Sequence, residues 1–445
     1  MNLLHSCDDC LREGASMVKV SLFGREKETL DFTSIEAQSF HVAREIETKT
    51  GAGNDFLGWL NFASKLPEEE IVRIEKTAKR IRENYDTLVV CGIGGSYLGA
   101  RAVIEALNGL FPEDNFEIIF FGNTLSPDYT AQVLKHLEHK HFAINVISKS
   151  GTTTETAVSF RLLKELFVKK FGEEELKDAV VATTDRVRGS LKFEADEIGY
   201  ETFVIPDDIG GRYSVITPVG LLPIACAGID IREFIRGVID GEKMYSGKDF
   251  HKNPAYYYGA IRYLMKVQDN MTSEMFVTYH LQYQMIGEWL KQLFDESEGK
   301  DGKALLCTSA TFTTDLHSMG QFIQQGAPVL FETIIHVRQP KEDVTVKADE
   351  KNYDNLNYLA GKEMSFICEK AYEATLKAHT EGHTPAVVLD VDMMNAYSLG
   401  NLMYFFFRAC AFSAYLLEVN PFNQPGVEIY KKNMFELLGK PGHKK

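Results

Sequence analysis

The chain has 445 residues, 44% of them hydrophobic and 25% charged, and a formal net charge of −15. That length allows two or three domains with well-buried cores, and that balance is the one expected of a soluble globular protein. The negative charge argues against a nucleic-acid protein, which needs a basic face to displace counterions, but a few local donors could still hold a small anion.

The opening stretch, MNLLHSCDDCLREGASM, has no basic region followed by a long apolar core, so no secretory signal is expected. Cys7 and Cys10 form a single C-x-x-C with only His5 nearby, short of what a zinc knuckle needs, and no metal is expected. The seven cysteines are odd in number and scattered, which fits a reducing, cytoplasmic setting. Residues 1–65 show few strand signals and read as an irregular or helical lead-in.

From Glu68 the pattern alternates. It predicts helices over 70–84, 96–108, 127–138 and 153–171, and strands over 86–91, 117–121, 142–147, 179–182 and 201–205. After connecting helices between 231 and 268, a second series follows. It has strands over 274–279, 303–307, 329–335 and 385–390, and helices over 281–295, 314–325 and 394–417. Continuous apolar strands between amphipathic helices imply an α/β protein with two doubly wound, mainly parallel sheets flanked by helices. The corresponding division is 66–230 for a first α/β domain and 231–445 for a second. Asn401–Val419 is strongly apolar but carries Arg408 at its centre, which favours a buried helix over a membrane span. Tyr213–Ile231, interrupted by Pro218 and Pro223, is likewise read as interior.

Two strand-to-helix junctions carry unusual loops. In VVCGIGGSYLGA, Gly92-Ile93-Gly94 supplies the start of a dinucleotide fingerprint, but Tyr97 occupies the place of the third glycine. The next strand ends in Gly122-Asn123-Thr124, with no acid for a ribose diol, and no G-K-[ST] follows for a nucleoside triphosphate. The second loop, SKSGTTTET, places Ser148, Lys149, Ser150, Thr152, Thr153 and Thr154 ahead of a helix. N-capping needs one hydroxyl, and this cluster holds five. Free N–H groups and hydroxyls at a helix N-terminus make an anion site, and Ser96 stands at the equivalent junction of the earlier unit. Two such termini side by side suit a compact dianion such as a phosphate monoester.

Six motifs occur in order: GIGGS, SKSGTTTET, GGRYSVITPVGL, ESEGK, LHSMGQFIQQG and NPFNQPGVEIYKK. Together, between about residues 87 and 432, they resemble the glucose-6-phosphate isomerases, a family of tandem sugar-isomerase (SIS) domains. The resemblance implies interconversion of glucose 6-phosphate and fructose 6-phosphate through a cis-enediolate, with no cofactor and no metal, by a homodimer. Motif by motif, it makes Glu296 the base that moves a proton between C1 and C2. Glu298 is set aside as a solvated neighbour. Gln292 becomes a substrate contact one helical turn earlier, and Arg212 the cation that meets the enediolate charge. It assigns His317 and Lys431 to opening and closing the sugar ring, and Gln424 to the phosphate side. Gly95, Ser96, Ser148, Lys149, Ser150 and Thr153 fall in its phosphate- and sugar-binding loops. Asn423 and Pro425 lie where the C-terminal motif varies, and the first 20 residues match no part of it. A non-catalytic sugar-phosphate sensor on the same fold remains the alternative. It would keep the hydroxyl loop and need neither Glu296, Arg212 nor His317. A nicotinamide-linked dehydrogenase is a third reading.

Overall fold

Apolar runs flanked by helices form the central strands of two separate five-stranded sheets. The structure, a computed structural model, describes residues 18–25 and 30–442; Cys7, Cys10 and His5 lie outside them. The lead-in, expected to be irregular or helical, contributes a strand, β1 (Lys19–Phe23), as well as the helix Glu36–Thr48. β1 escapes a pattern search because it is a five-residue, half-exposed edge with no continuous apolar run.

The first sheet holds β2 (Thr87–Cys91), β3 (Glu117–Phe121), β4 (Phe142–Ile147), β5 (Val180–Thr184) and β6 (Glu201–Val204) in the order β3-β2-β4-β5-β6. All pairings are parallel, with Cys91 opposite Val146 at the ends of β2 and β4. β2, β4 and β5 are buried at every position, as strands covered on both faces must be. The chain leaves β2 towards β3 on one side and returns to β4 on the other. The crevice between the carboxyl ends of β2 and β4 is therefore the topological switch point, where such sheets bind ligands.

The second sheet holds β7 (Ser273–Thr278), β8 (Leu306–Thr311), β9 (Leu330–Gln339) and β10 (Ala386–Met393) in the order β1-β10-β9-β7-β8. Its pairings are parallel except for β1, which runs antiparallel to β10 with Lys19 opposite Asp390. β8 starts and ends later than the predicted 303–307. The search followed the apolar KALLC, whereas the strand continues through Thr308, Ser309 and Thr311. A small face is needed there: a methyl on Gly287 would stand 2.7 Å from the Ser309 Cβ. Two helices missed by the sequence pattern, Met364–Glu381 and Val427–Leu437, complete this half.

The apolar segment around Arg408 is the helix Ala396–Leu416, buried at every position from Leu399 onwards. The Arg408 guanidinium donates to the Tyr245 carbonyl at 2.8 Å and pairs with Glu47. Tyr213–Ile216 and most of Pro218–Cys226 are buried as expected. Among the described residues no helix is long and apolar enough to cross a membrane.

Candidate active site

The site is assembled where the β2 turn, the Gly210–Arg212 turn and the helix Gln284–Glu298 meet. After β2 the chain makes a 3₁₀ turn at Gly94–Ser96 before the helix Leu98–Asn108. Gly94 has φ +58°, a left-handed backbone that glycine tolerates. A Cβ there would stand 3.0 Å from Gln292 Nε2, and one on Gly95 would stand 2.0 Å from the Gly211 carbonyl oxygen. The glycines thus let this turn lie against both the helix carrying Gln292 and the arginine turn. Ser214 Oγ closes the junction by donating to the Gly211 carbonyl at 2.6 Å.

The helix Gln284–Glu298 runs three residues beyond its predicted end, which puts Gln292 and Glu296 on one face at i, i+4. Gln292 Nε2 donates to Glu296 Oε2 at 3.0 Å. On the other side Arg212 Nη1 approaches the same oxygen at 3.5 Å. Arg212 is buried, with its side chain 3% exposed, while that of Glu296 keeps 25%. The guanidinium is held all round: Nε donates to Ser297 Oγ at 2.7 Å, Nη2 to the carbonyls of Pro421 at 2.6 Å and Asn423 at 3.3 Å, and Nη1 to Gln424 Oε1 at 3.2 Å. A reachable carboxylate beside a fixed buried cation can take a proton and steady the resulting oxyanion.

The expectation that Glu298 is solvated is corrected. It is 1% exposed and forms an ion pair with Arg262, which also holds Glu274 at 2.6 Å. Ser413 donates to the Glu298 carboxylate as well, and burial pushes this carboxyl above the usual range against the pull of Arg262. Charged residues in ESEGK suggest a wet loop only because Arg262 lies 36 residues away and out of local view.

The hydroxyl-rich loop lies beside the glycine turn because β2 and β4 are neighbours. Its backbone is pinned from outside: Thr184 Oγ1 donates to the Ser148 carbonyl at 2.7 Å and the Ser190 N–H to the Ser150 carbonyl at 3.0 Å. Ser148 Oγ accepts from the Gly151 N–H at 3.0 Å, and Ser150 Oγ from the Thr152 N–H at 3.1 Å. Thr153 is the N-cap residue of the helix Thr154–Phe171 and makes no side-chain cap bond, so it leaves its hydroxyl and the first-turn N–H groups available to an anion. Lys149 Nζ pairs with Asp207 at 2.7 Å.

The model of the family described as phosphoglucose isomerase matches residues 72–441. This chain belongs to the phosphoglucose isomerase family. It is 52% identical over 404 residues to the glucose-6-phosphate isomerase of Bacillus cytotoxicus, covering 89% of this chain and 90% of that one. To the Staphylococcus epidermidis enzyme of the same name it is 50% identical over 425 residues, covering 94% and 96%. Among solved structures, a hypothetical protein of Thermus thermophilus superposes with TM-score 0.83 at 26% identity, over 94% of this chain and 100% of that one. A Chlamydia trachomatis glucose-6-phosphate isomerase shares the fold with TM-score 0.78 at 20% identity, over 93% and 86%.

Within this phosphoglucose isomerase fold, Glu296, Gln292, Arg212 and Gln424 form one connected group, with Gly95 against the Arg212 turn. Ser96, Ser148, Ser150 and Thr153 occupy the adjoining switch-point loops. His317 and Lys431 stand apart. His317 is exposed at the start of the helix Leu316–Gln325, beyond the end of β8. Lys431 pairs with Glu428 at 2.8 Å on the helix Val427–Leu437, which has no buried residue. Neither bonds to Glu296, Arg212 or Gln292. Lys300, which the sequence reading passed over, lies at the end of the Glu296 helix, and burial beside Arg212 lowers its pKa to about 8. Its signal was a lysine just past a helix-terminating glycine.

Proposed function

We propose that this chain interconverts glucose 6-phosphate and fructose 6-phosphate, with Glu296 as the base. The observation that carries the reading is the Glu296 carboxylate, held between Gln292 and Arg212 beside the glycine turn. Phosphate sits on Ser96, Ser148, Ser150, Thr153 and the first turn of the helix behind them, with Lys149 adding positive charge at the rim. The sugar then extends towards Glu296. Glu296 removes the proton from C2 of the open-chain aldose, and Arg212 meets the charge that gathers on the enediolate oxygens. Returning the proton to C1, with the proton of the C2 hydroxyl passing to O1, gives the ketose. No redox partner is needed, because the hydrogen lost at one carbon is regained at the next.

His317 and Lys431 open and close the sugar ring. Both lie on the outside of a single chain, and the helix carrying Lys431 also exposes Ile429, Tyr430, Leu437 and Leu438. These features favour a homodimer in which His317 reaches the partner's site. The first sheet unit, 66–230, supplies the phosphate loops, and 231–445 supplies Glu296 and the C-terminal segment. The enzyme works in the cytoplasm.

The test is Glu296→Gln, which keeps size and hydrogen bonding but removes the base. kcat should fall at least ~10²-fold with KM little changed, and exchange of the C2 hydrogen of glucose 6-phosphate with solvent should stop. Persistent C2 exchange in a folded Glu296→Gln protein would place the base elsewhere.

A further inference from the structure

Lys300 follows the helix Gln284–Glu298 and points back across its end. Its Nζ donates to the carbonyls of Glu296 at 3.1 Å, Ser297 at 2.5 Å and Asn420 at 2.8 Å. An ammonium has three N–H donors and no acceptor, so three carbonyls match it completely. Two of these carbonyls belong to the last turn of the helix, where no intrahelical donor remains. The third opens the Asn420–Gln424 segment. Arg212 grips the same two segments through Ser297 on one and Pro421, Asn423 and Gln424 on the other.

We propose that Lys300 is a positioning residue for the isomerase, a three-point clamp that locks the end of the Glu296 helix to the segment carrying the Arg212 acceptors. The inference rests on the reading of Glu296 as the base. The clamp works only while charged. A neutral amine keeps two donors, and its lone pair then faces the third carbonyl. Burial and the neighbouring Arg212 cation bring the loss of that proton down to about 8, against the opposing pull of Cys410, Glu296 and Glu298, which face the same group. The clamp is therefore complete below pH 8 and fails as pH rises through it, so kcat gains an alkaline limb near there. All three Lys300 N–H donors go to backbone carbonyls, leaving none for the sugar phosphate, so KM should move little.

The experiment compares the full-length protein with Lys300→Met and Lys300→Arg, measuring kcat and KM for glucose 6-phosphate from pH 6 to pH 10. For Lys300→Met, kcat at pH 7 should drop roughly 10- to 100-fold, as expected when a reacting group is misplaced, with KM within about threefold and no limb near pH 8. Lys300→Arg keeps a permanent cation, so it should recover kcat to within about tenfold and carry activity past pH 8 without the limb. A lysine that merely stabilised the fold would lower the melting temperature and leave the limb where it was. An unchanged limb in Lys300→Arg, or wild-type kcat in Lys300→Met, overturns the clamp. If Lys300→Met does not fold, the limb in Lys300→Arg decides alone. Loss of the clamp result with an inactive Glu296→Gln would leave the assignment of the base standing, so the two readings fail separately.

Discussion

Gly95→Ala tests how closely the site is assembled. Gly95 carries no positive φ, so any penalty comes from contact and not from backbone strain. The added methyl would lie 2.0 Å from the Gly211 carbonyl oxygen and 2.8 Å from the Arg212 nitrogen. Both are backbone atoms and cannot swing aside. Restoring an ordinary separation of ~3.5 Å requires the Gly210–Arg212 turn and the glycine turn to part by about 1 Å or more. Arg212 rides on that turn, and its guanidinium sits 3.5 Å from Glu296. A misplacement of ~1 Å near reacting groups costs about 10²-fold in rate, or ~2.7 kcal/mol on the barrier. Overpacking should also cost about 1–3 kcal/mol of stability. The assay is steady-state isomerisation of purified protein, normalised to the folded fraction by thermal unfolding. Gly247→Ala serves as the steric control, since its methyl would meet no atom within 4 Å. A Gly95→Ala protein that folds and keeps kcat within about twofold of wild type would refute the reasoning.

Two further outcomes bear on the rest of the site. Ser150→Ala with Thr153→Ala should weaken inhibition by inorganic phosphate and raise KM for glucose 6-phosphate together, with kcat also lowered because phosphate positions the sugar; unchanged phosphate inhibition would remove these hydroxyls from the anion site. Glu296→Gln and His317→Ala subunits, each inactive, should regain activity when unfolded and refolded as a mixture. Random pairing makes half the dimers mixed and restores about a quarter of all sites, whereas a mixed dimer seen by native mass spectrometry without activity would place His317 in its own chain's site.

Most of the first sheet could be read from the sequence because a parallel strand covered on both faces is a nearly continuous apolar run. The strands 117–121 and 142–147 lie where the pattern puts them. The hydroxyl-rich loop could be placed at a helix start for a local reason too, since five hydroxyls crowd the start of one helix. β8 was displaced because its outer half is Thr and Ser packed on a glycine. The helix Val427–Leu437 was missed because none of its residues is fully buried within this chain, so it has no strong inward stripe to detect. Glu298 was misread for the opposite reason. Its neighbours in sequence are polar, and what makes it a core residue is an arginine on another helix. Lys300 was overlooked because its meaning lies in Asn420, 120 residues away.

The pairing of β1 with β10 sets an order of events during synthesis. Lys19 is opposite Asp390, so their partnership spans 371 residues. At ~5–20 residues per second, β1 leaves the ribosome about 20–70 s before the strand it must join. Until then β1 has no partner, and its own unpaired edge is open to any passing strand. The first sheet, whose strands all fall between residues 87 and 204, can meanwhile close unaided. The nascent chain can therefore close its first sheet well before β10 arrives to complete the second.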